Sequence, residues 1–426
     1  MDNLKQKKAC FVDCGLYVDM ARHLSKDFKE MYYYQPYITS GFPTSNPILP
    51  GYGYPEIKCI KQLFQTSEND QGYNFNDIDI FIVPFIYFGD IVEHIRSLGK
   101  LCWGSAQGDE LELNRFLLKD VLRKSNLPVI SGRKIKGMTK LKEYLKTAKD
   151  KFIKISHYRG LAETTHHINY KLTEPFLTEL ENDLGSYKED MLFLVDDKID
   201  AMFEAGIDTY IINGQIPETV MVGIESKDSS YIGRYIEYEK LPKQLKVTHD
   251  NVMWYFKEKQ YRNFYSNEVR ITKTKVPYLI DVTCRLPLPP SELYMEMIDN
   301  LAKIIYKGAS GEMVSPKWNY KYGALVIIKS DWAKEHFQPI LVDKGYEKFL
   351  KLRYNCFIDN PTIVPQESEL KEIGAVIGVG NTMKEAIENC KENASHVQGY
   401  CIEIDTDSLI KNEESVKQYD LIGLKF

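Results

Sequence analysis

The chain has 426 residues, 43% hydrophobic and 27% charged, with a net charge of −5, an ordinary globular profile with room for roughly two to four structural units. Nothing in the acidic total points to nucleic acid or an anionic membrane, local basic patches remaining open, and no run approaches the ~18 apolar residues of a membrane span. The opening MDNLKQKK lacks the apolar core of a signal peptide, and the eight cysteines lack metal-type spacing, so they read as reduced thiols of a cytoplasmic protein.

In chain order, KACFVDCGL (8–16) reads as a strand entering the helix YVDMARHLSKDF. KEMYYYQPYI and DIDIFIVPFIYFG (77–89) are further strands, and DIVEHIRSLGK is a helix before LCWGS. Strands alternating with helices predict a parallel α/β sheet, ending near residue 108. The tyrosines of MYYYQPY read as core, and the Pro- and Gly-rich segment 39–55 as a long loop of the functional kind.

DELELNRFLLKDVLRKSN (109–126) predicts one amphipathic helix, with Leu113, Phe116, Leu117 and Val121 on the apolar stripe and Glu112, Arg115 and Lys119 on another face. A small basic α+β unit follows at about 127–190, and KEDMLFLVDD (188–197) is a strand ending in two acids. DTYIINGQIP reads as a hairpin with an Asn-Gly turn into ETVMVGIESK, and NEVRIT with VPYLIDVTCR as a second hairpin. The helix PPSELYMEMIDNLAKIIYKGA is entered through prolines. The remainder, 316–426, is β-rich and closes with a helix whose Thr382 and Glu385 form a capping-box pattern. The glycines of GAVIGVG before that helix read as a tight turn, since a dinucleotide fingerprint needs a third.

Chemistry concentrates in the middle of the chain. Lys154 lies in the β-prone run FIKIS, where a lysine is costly to bury unless an anion meets it. The loop SHYRGLAETTHH behind it carries Arg159, Gly160, Thr164 and Thr165, groups that handle phosphate. Lys119 and Lys154 from separate segments suit two phosphates, a strand end suits a base edge, and Glu268 and Asp281 on facing strands suit Mg²⁺, which takes hard oxygen ligands. Each has a plainer alternative: a snorkelling lysine, a solvated helix face, a cross-strand pair of Glu268 with Lys273 or Lys275, or an Arg285 salt bridge. The adjacent His166 and His167 point apart on any regular element and are poor chelators; His157 lies nearer the phosphate loop.

The order of these segments resembles the ATP-grasp superfamily, and within it the glycinamide ribonucleotide synthetases. LCWGSAQGDELELNRFLLKDVLRKSNLPV is similar to that family's Gly turn and Glu-x-x-Lys/Arg-x-x-x-Lys helix, matching Glu112, Arg115 and Lys119. FIKIS resembles its Val-Val-Lys strand, and LFLVDDKIDAMFEAGIDTYIINGQ its hinge. SNEVRITKTKVPYLIDVTCRLPLPPSE resembles the hairpin ending Glu-x-Asn-x-Arg, with Asp281 for the Glu, Thr283 for the Asn and Arg285 in place. The phosphate loop has one glycine where the family has several, and FVDCGLYVDMARHL has no counterpart of its ribose-phosphate site.

The resemblance implies an ATP-grasp fold of α/β and α+β class. An N-terminal parallel α/β domain (1–108) would be followed by the ATP-grasp domain (109–315, lid about 127–190) and a C-terminal β-rich domain (316–426). It implies an ADP-forming carboxylate–amine ligase using ATP with Mg²⁺, or Mn²⁺ in its place, through an acyl phosphate. Lys119, Lys154, Arg159 and Thr164 would meet phosphates, Asp196 and Asp197 the adenine, Glu204 the ribose, Glu268 and Asp281 the metal, and Arg285 the transferring phosphoryl group. The expected partners are a small carboxylate and an amine, a nucleotide or nucleic-acid acceptor being open because of the basic clusters, in a monomer or homodimer. The rival expectation is an ATP-binding module that has lost catalysis, motivated by Thr283 and the glycine-poor loop.

Overall fold

A computed structural model describes residues 3–36, 50–157, 164–358, 362–364 and 371–426. The near-continuous apolar runs at the start form a parallel sheet in the order Leu101–Gly104, Ile80–Val83, Lys8–Val12, Glu30–Tyr34, Lys58–Ile60. Both faces are covered, which is why these strands lack polar alternation: Cys10, Phe11, Phe81 and Ile82 are all fully buried. Tyr32 and Tyr33 are buried in the cores on the two faces of this sheet, as the sequence predicts.

This sheet joins an antiparallel one through a single pair, Arg262 opposite Gly104. The long strand Arg262–Thr272 pairs with Pro277–Thr283, Ala201–Ala205 and Ile207–Ile212, and the sheet continues through Thr219–Ser226, Ser230–Glu237, Tyr322–Lys329 and Glu372–Gly380. Of the β-rich C-terminal region, Tyr322–Lys329, Leu350–Leu352, Glu372–Gly380 and Glu403–Ile404 are thus hydrogen-bonded into the same sheet, while Gln338–Val342, Cys356–Phe357, Thr362–Val364 and Val397–Gly399 form a small antiparallel sheet of their own. Asn213 (φ 51°) and Gly214 (φ 81°) make the Asn-Gly turn, a backbone conformation these residue types tolerate. The helix expected over residues 289–309 is two, Pro290–Met297 and Leu301–Ala309.

A separate four-stranded antiparallel sheet has the order Gly132–Lys136, Leu192–Asp197, Lys151–Ile155, Thr164–His167. The helices Met138–Leu145 and Tyr170–Leu184 contribute Leu141, Leu145 and Leu177 to its own core with Ile153 and Phe193. This unit runs beyond 190, to Asp197. The helix Tyr170–Leu184 is not among the elements the sequence predicts, because Pro175 interrupts its helical pattern.

The single helix expected over 109–126 is corrected. It is Glu110–Leu113 and then Arg115–Lys124, because Asn114 adopts an extended conformation (φ −95°, ψ 96°) and its side chain accepts from Phe116 N and Leu117 N at 3.1 Å. An asparagine N-cap restarts the helix in a new direction. Glu112, Arg115 and Lys119, read as a polar face, are all buried.

The glycines of GAVIGVG are also corrected, since they lie within the strand Glu372–Gly380 rather than a turn. A Cβ at Gly378 would fall 2.1 Å from Cys390 N and 2.4 Å from Ala386 O, so glycine lets the helix Met383–Ser395 pack directly on the strand. Thr382 Oγ1 accepts from Glu385 N at 3.1 Å, as the capping pattern predicts. No helix among the described residues is long and apolar enough to cross a membrane.

Candidate active site

The strand Arg262–Thr272 turns Tyr265, Val269 and Ile271 into the core and Ser266, Glu268 and Arg270 outward. Its partner Pro277–Thr283 does the same, with one irregularity: Glu268 faces Asp281, but Val269 faces Leu279. Ile280 is therefore an extra residue, a bulge that turns consecutive side chains to one side. Ile280 and Asp281 both line a cavity of about 370 Å³ with Glu268, Glu204 and Glu225. The cross-strand partner of Glu268 is thus an acid, not Lys273 or Lys275.

Lys154 enters the same cavity from the other sheet. Its ammonium donates to Ile280 O at 3.2 Å, the carbonyl of the bulged residue. Burial lowers its pKa, Asp281 opposing and Arg115 adding to the effect. Glu268 opens into the cavity yet is enclosed by its walls. Burial first, then the like charges of Glu204 and Asp281, push its pKa up to about 7. Two hard oxygen side chains that resist ionising together form a donor set a divalent cation would relieve. Among the described residues no group of three or more His, Cys, Asp or Glu side chains is arranged to hold a metal.

The remaining cations hold the walls in place. Arg115, 2% exposed, donates through Nη1 to Asp281 Oδ1 at 2.7 Å. Lys119 donates to Asp196 Oδ1 at 2.5 Å and to Ile130 O at 2.6 Å, joining the helix Arg115–Lys124 to the strand Leu192–Asp197. Asp197 accepts from Lys151 at 2.6 Å, and Glu204 from Arg270 at 2.9 Å. Lys154, Thr164, Asp196, Asp197 and Glu204 all line the larger cavity. Lys119 lies beside it in a small crevice that also touches Lys154 and Asp196.

A second cavity of about 270 Å³ continues from the first, sharing Glu204, Glu225, Glu268 and Asp281. Arg285 and Thr283 line it. Arg285 donates through Nε to Glu112 Oε1 at 3.1 Å and through Nη1 to the Tyr17 hydroxyl at 3.4 Å, so it is both salt-bridged and at the cavity wall. At the floor Asp208 accepts from the Tyr231 and Ser266 hydroxyls, each at 2.6 Å. Burial pushes Asp208 up to about 6. Gly223 and Gly233 face each other in register, where a Cβ would strike the Tyr231 ring, so their bareness lets that ring lie across the sheet. Sequence reasoning missed Asp208 and Glu225; their signal is an acid inside an apolar run, DTYII and VGIES.

Arg159 and Gly160 lie outside the described residues, as does most of the 39–55 loop. The histidines do not chelate. His167 is buried against Thr173 Oγ1 and Ala148 O, while His166 stacks on Phe152 and meets Asp150. His157 Nε2 lies 3.8 Å from Glu110.

No family model matches the sequence, and no curated protein matches it. Solved structures do match. A phosphoribosylamine–glycine ligase from Thermotoga maritima is 13% identical with a TM-score of 0.64, covering 93% of this chain and 98% of its own. The biotin carboxylase domain of 2-oxoglutarate carboxylase from Hydrogenobacter thermophilus, solved with MgADP and bicarbonate, is 14% identical with a TM-score of 0.66, covering 97% and 95%. An L-amino acid ligase from Bacillus licheniformis is 14% identical with a TM-score of 0.60, covering 93% and 99%. Their shared architecture runs almost end to end through this chain, which has the ATP-grasp fold, in a divergent form.

Proposed function

We propose that this chain is an ADP-forming carboxylate–amine ligase that binds ATP between the four-stranded sheet and the bulged hairpin. The observation that carries the reading is the meeting of Lys154 with Glu268 and Asp281 at one cavity, an ammonium and an acid pair from different sheets. Lys154, Lys119, Thr164 and Arg159 are assigned to the phosphates, Asp196 and Asp197 to the adenine side, and Glu204 to the ribose. Glu268 and Asp281 would hold Mg²⁺ or Mn²⁺, and the bound ion would draw charge from the polyphosphate. Thr283, a weak oxygen donor, leaves these two as the main ligands.

In this reading a substrate carboxylate oxygen attacks the γ-phosphorus and ADP departs. The amine then attacks the acyl carbon, the C–O bond to phosphate breaks, and phosphate leaves. Arg285, held by Glu112 and Tyr17, would meet the transferring phosphoryl charge without reorganising. The smaller cavity, with Asp208 and Glu225 and the hydroxyls bound to Asp208, is rich in acceptors and suits the amine. The eight free thiols suit a reducing compartment.

Isothermal titration with Mg²⁺ and a non-hydrolysable ATP analogue tests the binding half. Saturable binding, lost in Lys154→Ala and Asp281→Ala with circular dichroism unchanged, is the expected result; no binding to the wild type overturns the reading. ADP release across a panel of acids and amines then tests the chemistry.

A further inference from the structure

Asp208 lines the smaller cavity, is 7% exposed, and takes its side-chain hydrogen bonds from the Tyr231 and Ser266 hydroxyls, one on each oxygen. Among the described residues no cation pairs with it, and burial holds its carboxyl up at about 6. A carboxylate has about four lone-pair sites, so each oxygen keeps room for a donor arriving in the cavity. The space beside it is bare, because Gly206 and Gly223 line the same wall.

The cavity is one-sided in charge. Glu204, Glu225, Glu268 and Asp281 share its walls with Asp208, and the one cationic side chain that lines it among the described residues, Arg285, is bound to Glu112. Strand register sets the distance to the proposed chemistry. Asp208 pairs with Ser266 and Ser266 with Thr283, which puts Asp208 two residues, roughly 7 Å, along the strands from the rung that joins Glu268 to Asp281.

We infer that Asp208 anchors the amine substrate as a cation, and that this amine bears no carboxylate or phosphate of its own. An ammonium there replaces neutral surroundings with a charge-assisted hydrogen bond, the stronger kind. An amine with an acidic group, an amino acid included, would set that group among like charges, which is costly in a desolvated site. Arg285 offers no relief, being assigned to the transferring phosphoryl group. The inference rests on the ligase reading, which gives the smaller cavity to the amine.

The test is a ligand-observed NMR titration of the full chain with Mg²⁺ and a non-hydrolysable ATP analogue, using three probes of one chain length: propylamine, propan-1-ol and β-alanine. The wild type should bind propylamine at least about tenfold more tightly than either of the others. Asp208→Asn should remove that preference with circular dichroism unchanged. A wild type that binds β-alanine or propan-1-ol as tightly as propylamine overturns the inference, a comparison that needs no variant. So does a folded Asp208→Asn protein that keeps the preference, or one that loses all three probes alike. If the wild type prefers propylamine through Asp208 but does not bind the ATP analogue, the amine anchor stands and the ATP reading falls.

Discussion

Two charge clusters sit on the long sheet and are built on opposite plans. Around Arg353, Glu292 approaches Nε at 3.2 Å and Glu372 approaches Nη1 at 2.6 Å, while Lys351 pairs with Glu296 at 2.9 Å. Burial acts to lower the pKa of Arg353, but the two glutamates outweigh it and hold it above its usual range. That cluster is a closed clamp. At the hairpin, Glu204, Glu225, Glu268 and Asp281 line open space, and among the described residues Lys154 contacts only a carbonyl within hydrogen-bond distance. What marks a site is charge left facing a cavity.

The contrast predicts opposite outcomes for the same kind of substitution. Arg353→Met should reduce the unfolding free energy by about 3–5 kcal/mol, because two acids are left buried without their cation; urea denaturation measures it. Lys154→Met should instead leave the denaturation midpoint unchanged or raised, and weaken binding of the Mg²⁺–ATP analogue by about 1.5–3 kcal/mol in a titration. Equal effects of both changes on stability would erase the distinction.

Two smaller effects sharpen it. Gly378→Ala should destabilise by about 1–3 kcal/mol through overpacking, with nucleotide affinity intact, because the backbone at Cys390 and Ala386 leaves no room for a methyl. Asp109 is buried, and burial followed by Glu110 and Glu112 pushes its carboxyl up to about 7. The folded chain thus binds the proton more tightly than the unfolded one, so stability falls as pH rises from about 4 to 7. Asp109→Asn should remove that slope, giving about 1–2 kcal/mol at pH 8 and nothing at pH 4 in denaturation curves.

The sequence made Lys154, Glu268 and Asp281 legible because an ionisable residue in an apolar strand is costly without a purpose. It made the parallel sheet legible through unbroken apolar runs such as DIFIV. It did not reveal the burial of Glu112, Arg115 and Lys119, because helical periodicity assumes one straight axis and Asn114 ends that axis after four residues. Nor did it reveal which acid each cation would meet: Lys119 finds Asp196 and Arg115 finds Asp281, pairings set by how two sheets come together. Asp208 escaped notice because its partners, Tyr231 and Ser266, come from two other strands.

The extra residue at Ile280 supplies the carbonyl that the Lys154 ammonium meets. Excising that single isoleucine would restore a regular ladder, with Asp281 still opposite Glu268 and Leu279 still opposite Val269, but would take away the carbonyl that accepts from Lys154. An exchange of isoleucine for valine or leucine would leave that carbonyl in place. Shortening the chain by one residue there is therefore more damaging than changing its identity, and chains sharing this design should tolerate replacements at that point far better than gaps.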